Sequence, residues 1–166
     1  MKKQIEYDHC KCVQTLLGPL TIYESQGYIV AISWTEHNVI NHGSQLIDEA
    51  FRQIESYFNG QRKTFCIPFK ITTGTPFQHK VWQALQTIPY GKTISYSELA
   101  AQINHPKAIR AVGMANHNNP LPIIIPCHRV IGKNGTLTGY AGGLLVKEKL
   151  LTLERHFCHL DTPFDI

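Results

Sequence analysis

"SYSELAAQINHPKAIRAVGMANHN", residues 95–118, decides how the second half of the chain folds. Ser95 stands ahead of a short apolar-periodic run, and Glu98 lies three residues on, the spacing of a capping box. The run ends at "NH", and Pro106 opens a second short helix through Asn118. Two short helices joined by a brief turn make a helix-turn-helix outline, a shape shared by many helical hairpins that never meet DNA. The second helix is lined with Ala108, Ala111, Gly113 and Ala115, with Arg110 among them. Major-groove readers carry longer polar side chains. Small residues with one arginine fit close backbone approach and a wedge inserted from the minor groove. The other reading is tight helix packing with a solvated Arg110.

Upstream, "TPFQHKVWQALQTI" (75–88) has Thr75 as N-cap, Pro76 at the first helical position, and Phe77, Val81, Trp82 and Leu85 as an apolar stripe. Downstream, "IIIPCHRVIG" (123–132) reads as a strand-like run that ends on Cys127, with His128 and Arg129 immediately after. Neighbouring cations and donors lower a thiol's pKa and make it a nucleophile, although a buried structural cysteine fits the same letters. The stretch "LLVKEKLLTLERHF" (144–157) has helical spacing and puts Glu154 on the apolar side, where a carboxylate needs a partner. Cys127, His128 and Glu154 are therefore candidates for a nucleophile, its base and an orienting acid. "KNG" and "GYAGG" between them are loop signals.

The first half has a different rhythm. Residues 18–36 read as a β-hairpin turning at "SQG", and 44–61 as an amphipathic helix ending near Gly60. "FCIPFKI" (65–71) reads as a strand with Cys66 in the core. "HCKC" (9–12) is a poor match to zinc-ligand spacing, and no metal is expected.

Charge separates the halves. Residues 1–67 hold six Lys/Arg against seven Asp/Glu, while 68–155 hold ten against three. A net +7 segment points to a polyanionic partner, nucleic acid first. No apolar run is long enough to span a membrane, and the five irregularly spaced cysteines argue against a complete disulfide framework. The expected compartment is the reducing cytoplasm.

Taken together, "FQHKVWQAL", "SYSELA", "RAVGMANHNNPLPI", "PCHRV" and "GYAGG" resemble the O6-alkylguanine-DNA alkyltransferase family over about residues 74–155. The resemblance implies an α+β chain. A small N-terminal β/α, ribonuclease-H-like domain (1–72) would precede a mostly helical, winged-helix-like DNA-binding domain with a helix-turn-helix (73–166). It further implies that Cys127 accepts the alkyl group, that His128 acts as its base through a water, and that Glu154 orients His128. Asn119 would organise the turn before the cysteine, and Tyr140 would line the pocket and donate toward N3 of guanine. Tyr96 would press on the phosphate and help rotate the nucleotide, and Arg110 would fill the vacated space. Ser95, Ala111 and Gly113 join them at the DNA surface. The carbonyls of Val130 and Cys127 would read the exocyclic amine, with Met114, Pro122 and Ala141 as pocket or groove wall. Ala141 replaces a serine found in some members. The implied partner is double-stranded DNA carrying O6-alkylguanine, met through the minor groove by a monomer without cofactor. A cysteine hydrolase, a lesion binder without transfer, and a transcriptional DNA-binding protein are the competing readings.

Overall fold

The computed structural model describes residues 5–36 and 42–159. The chain divides into two compact units, residues 1–73 and 74–166.

The first unit is a three-stranded antiparallel sheet in the order β1 (His9–Thr15), β2 (Gly18–Ser25), β3 (Tyr28–Ser33), with helix α1 (Gln45–Phe58) packed on it. The β2–β3 hairpin expected from the sequence turns on Gln26 and Gly27, both at positive φ (51° and 78°). A two-residue loop of this kind matches the right-handed twist of its strands. Helix α1 is capped by Ser44, whose side chain accepts from the Ile47 N–H. It ends where Gly60 adopts φ 72°, with Gly60 N–H bonded to Tyr57 O and Gln61 N–H to Ser56 O. That pair of bonds satisfies the last carbonyls and stops the helix. Ile47, Ala50, Ile54, Tyr57 and Phe58 form its buried face.

Two expectations for this unit are corrected. Residues 65–71 are not a strand: they touch β3 through a single bridge, Ile29 to Phe69. Pro68, with no N–H, cannot extend the ladder. Cys66 is exposed rather than in the core, and the Gln53 side chain satisfies its N–H and carbonyl. Conversely, β1 forms where no element is expected from the letters alone. It buries Cys10 against Tyr23, Val30 and Ala31. No group of three or more His, Cys, Asp or Glu suited to a metal occurs among the described residues.

The second unit is mostly helical: α2 (Pro76–Leu85), β4 (Ile94–Ser95), α3 (Tyr96–Gln102), α4 (Ile109–His117), a 3₁₀ turn (Cys127–Arg129), β5 (Val130–Ile131) and α5 (Leu144–Cys158). Both Thr75 and Ser95 close capping boxes, with Gln78 and Glu98. Trp82 is buried in α2 and donates its indole N–H to the Ala115 carbonyl at 2.8 Å, pinning α2 to α4. Strands β4 and β5 pair in parallel, Ile94 opposite Val130. They set the start of α3 beside the residues that follow Cys127.

Helix α4 begins at Ile109, three residues later than the sequence suggested. Helix α3 ends with Asn104 in the left-handed region (φ 61°), and His105 N–H returns to Ala100 O. Pro106 disfavours helical geometry at His105. Pro106 and Lys107 therefore lie in a turn closed by the Ala108 N–H on His105 O.

Candidate active site

The chain enters the site through a strained loop. The run before Cys127 is not strand-like, as its apolar letters implied. Instead, Ile125 N–H bonds back to Leu121 O at 2.8 Å, and Ile123 sits at φ 73°. For a β-branched residue this backbone is costly, about 1–3 kcal/mol. Asn119 holds it in place. Its Nδ2 donates to Ile125 O at 2.8 Å, and its Oδ1 accepts from the Leu121 N–H at 3.0 Å. Prolines at 120, 122 and 126 remove the donors a strand ladder needs. The loop delivers Cys127 to the first position of the 3₁₀ turn, only 4% exposed.

Burial dominates the thiol's chemistry and pushes its pKa up to about 11. A hydrogen bond from Asn119 and the positive charge of Lys147 oppose that rise without cancelling it. At neutral pH the resting group is a thiol, so attack requires a base that removes its proton.

His128, the next residue, is wholly buried. Its Nε2 lies 2.7 Å from Glu154 Oε1. Desolvation lowers its pKa, and the adjacent Glu154 only partly restores it, so the ring is neutral at pH 7 and able to take a proton. Nε2 is thereby committed to Glu154.

Glu154 is buried on α5, as its place on the apolar face required. Desolvation alone raises a carboxyl's pKa, but bonds and charge from His128 and Arg129 outweigh it and hold Glu154 well below the usual range. Arg129 donates Nε to Oε2 at 2.9 Å and Nη2 to Oε1 at 2.8 Å. Gly91 N–H adds a bond to Oε2 at 3.1 Å. Arg129 also donates Nη1 to Ile88 O at 2.6 Å.

Lys147 completes the interior. It lies on α5 with no exposed surface. Its Nζ donates to Val130 O at 2.6 Å, Thr138 O at 2.9 Å and the Tyr96 hydroxyl at 3.4 Å. Burial lowers its pKa to about 8, while the nearby Cys127 works in the other direction. Tyr96 donates its hydroxyl to Thr138 O at 3.1 Å, and burial raises its pKa. One ammonium thus ties together the start of α3, the strand after Cys127 and the loop before Tyr140.

The expected residues fall into two groups. Cys127, His128, Glu154, Asn119, Tyr140, Val130 and Pro122 are all buried, and Ser95 caps α3. Arg110 and Ala111 are exposed on α4, and Gly113 faces the Tyr96 ring, 3.9 Å from where its Cβ would be. Ala141 is exposed in the loop before α5. Met114 stands 61% exposed on the outer side of α4, and the inward position belongs to Asn116. Sequence reasoning passed over Asn116 and Lys147, and gave Arg129 no role in holding the acid. Lys147 had a signal: it lies seven residues before Glu154, on the same apolar face of α5.

Comparison with known proteins agrees with this geometry. Residues 76–156 match the family model for the 6-O-methylguanine DNA methyltransferase DNA binding domain, and residues 9–71 that for its ribonuclease-like domain. The chain is 48% identical over 153 residues to the constitutive methylated-DNA–protein-cysteine methyltransferase of Bacillus subtilis (strain 168), covering 86% of this chain and 92% of that protein. The Mycobacterium leprae (strain TN) methylated-DNA–protein-cysteine methyltransferase is 43% identical over 161 residues, with 89% and 93% covered. Among solved structures, Mycobacterium tuberculosis OGT in complex with DNA superposes with a TM-score of 0.82 at 42% identity, covering 90% of this chain and 94% of that one. An α+β chain with a small N-terminal sheet and a helical C-terminal unit is the arrangement these relatives lead one to expect. The chain belongs to the 6-O-methylguanine DNA methyltransferase family.

Proposed function

We propose that the protein repairs DNA by moving the alkyl group of O6-alkylguanine onto its own Cys127, once per molecule. The observation that carries this reading is the buried Cys127–His128–Glu154 set, built directly onto a helix-turn-helix unit. A base in the duplex stack is out of reach of a buried thiol, so the target nucleotide must be rotated out, at a cost of a few kcal/mol. Exposed Arg110 on a helix of small residues suits insertion from the minor groove into the gap, which offsets part of that cost. Tyr96 at the start of α3 suits contact with the displaced backbone.

In the chemical step Cys127 gives its proton to His128 by way of a water, and the sulfur forms a bond to the alkyl carbon as the carbon–O6 bond breaks. The bonding electrons pass into the guanine ring, Tyr140 donates a hydrogen bond at N3, and the leaving guanine takes up a proton at N1 as the His128 imidazolium returns to neutral. Glu154, kept ionised by Arg129, stabilises the imidazolium that forms. Asn119 holds the loop that aims the sulfur. The thioether is stable, and none of these residues offers a route to remove it. The protein acts as a monomer, with no cofactor, in the reducing cytoplasm, where its free cysteines persist. No helix among the described residues is long and apolar enough to cross a membrane.

Intact-protein mass spectrometry with a duplex carrying one O6-methylguanine tests this. The expected result is a gain of one methylene mass, mapped to Cys127, saturating at one equivalent and absent in Cys127→Ala. Tight lesion binding without a mass gain would make the protein a damage sensor. Repeated turnover on an ester or peptide would make it a hydrolase.

A further inference from the structure

Met114 is 61% exposed on α4. It lies about 160° around the helix from both Val112 and Asn116, two of the residues that α4 buries. Its neighbours three and four residues away are Arg110, Ala111, His117 and Asn118, all exposed and none a large apolar side chain. A lone exposed methionine is ordinary on a protein surface. This one is set in the middle of the face that carries Arg110, about 40° around the helix and about 6 Å along its axis from that residue. Ala111 and Gly113 keep the surrounding surface low, so Arg110 and Met114 project above it. Gly113 also lies against the Tyr96 ring, 3.9 Å from where its Cβ would be, and so sets this face beside the residue that opens α3. Residues 68–155 hold ten Lys/Arg against three Asp/Glu, and a duplex drawn to α4 by that charge meets an arginine and a methionine side by side.

Proteins that open the minor groove push apolar side chains, methionine among them, between base steps and partly unstack them. The unbranched thioether chain adapts to an irregular surface as it does so. A guanidinium suits the gap left by a rotated nucleotide, where it finds hydrogen-bond partners, but it covers little of the apolar face of the adjoining pair. We propose that Met114 is a second, apolar wedge, seated in the minor groove beside Arg110, that holds open the base step next to the rotated O6-alkylguanine. The assignment rests on the transfer reading above and adds a positioning residue to it. A wedge acts only where there are stacked pairs to part, so its contribution belongs to duplex DNA and not to a single strand.

The test compares single-turnover transfer from O6-methylguanine in a duplex and in a single strand of the same sequence, with the full-length protein below saturation. Met114→Ala is expected to slow transfer from the duplex about tenfold, the scale of one buried methionine side chain, and from the single strand by less than about twofold. Met114→Gln keeps the length and loses the apolar surface, so it should behave as Met114→Ala does. Met114→Leu keeps the apolar volume and should restore most of the duplex rate. The position is exposed and each replacement is a good helix former, so all three variants should melt with the wild type. Equal slowing on both DNAs overturns the wedge, as does a duplex rate in Met114→Ala or Met114→Gln that matches the wild type. Wild-type protein that transfers from neither DNA overturns the transfer reading, and the wedge with it.

Discussion

Arg129 and Glu154 meet in the protein interior through two parallel bonds, Nε to Oε2 at 2.9 Å and Nη2 to Oε1 at 2.8 Å. The pair joins the turn bearing Cys127 to α5. Arg129 Nη1 on Ile88 O extends the link to the segment that leads into β4 and α3. Arg129→Ala strands a buried carboxylate and is expected to cost about 3–5 kcal/mol. Arg129→Lys cannot reproduce the fork and should recover less than half of that loss. Urea unfolding of the three proteins measures both quantities.

The rate of transfer should follow a bell-shaped pH profile. On the acid side, activity falls as His128 takes a proton. Burial lowers its pKa, so the fall begins below the ordinary histidine value of 6.5. On the alkaline side, Lys147 loses its charge near pH 8, and the field that favours thiolate at Cys127 goes with it. Lys147→Met should slow transfer roughly tenfold at pH 7, the effect of about 1.4 kcal/mol, and abolish the alkaline limb. Single-turnover rates across pH 5–9.5 decide this. An unchanged alkaline limb in the variant would remove Lys147 from the reaction.

Stability should fall in two steps on acidification. The unfolded chain protonates His128 near its ordinary 6.5, while the folded chain resists. The unfolded state therefore binds more protons, and stability drops as pH falls below that value. Glu154 has a depressed pKa in the folded state, so its contribution is present above about pH 4.5 and is lost as pH falls further. Melting temperatures against pH should show the first step vanish in His128→Asn. The second should weaken in Glu154→Gln, on top of a lower overall stability.

Gly91 separates two costs that glycines usually mix. At Gly91 a Cβ would lie 2.7 Å from Cys158 Cβ, on backbone at φ 74°. At Gly135 the backbone is similar, φ 82°, but nothing lies within 4 Å. Gly135→Ala should cost about 1 kcal/mol for left-handed backbone alone. Gly91→Ala should cost about 1–3 kcal/mol more for the overlap, and should slow transfer by displacing an N–H from Glu154. Equal losses in the two variants would show that the Cys158 side yields freely.

The sequence was most legible where local chemistry and burial agreed. Ser95 with Glu98, Thr75 with Pro76, and the stripe of α1 each carry their own periodicity or cap, and each forms where it was expected. Glu154 was legible because a carboxylate on an apolar face demands a partner. The misses came from long-range contacts. Strand β1 has few apolar letters and exists because β2 offers it a ladder seven residues long. "IIIP" looks like a strand, but Asn119 bends it into a turn that no isoleucine prefers. Asn116 carries no signal of its own in the sequence, and only the fold reveals that it faces the Cys127 carbonyl.

The depth of Cys127 has a meaning beyond positioning. A protein that reacts once has to survive unreacted until its lesion appears, amid oxidants and diffusing electrophiles that favour exposed thiolates. A thiol 4% exposed, with its pKa held at about 11, presents little sulfur and almost no thiolate to them. Shelf life is thus built into the same burial that makes the cysteine dependent on His128: only a substrate that fills the pocket finds the nucleophile awake.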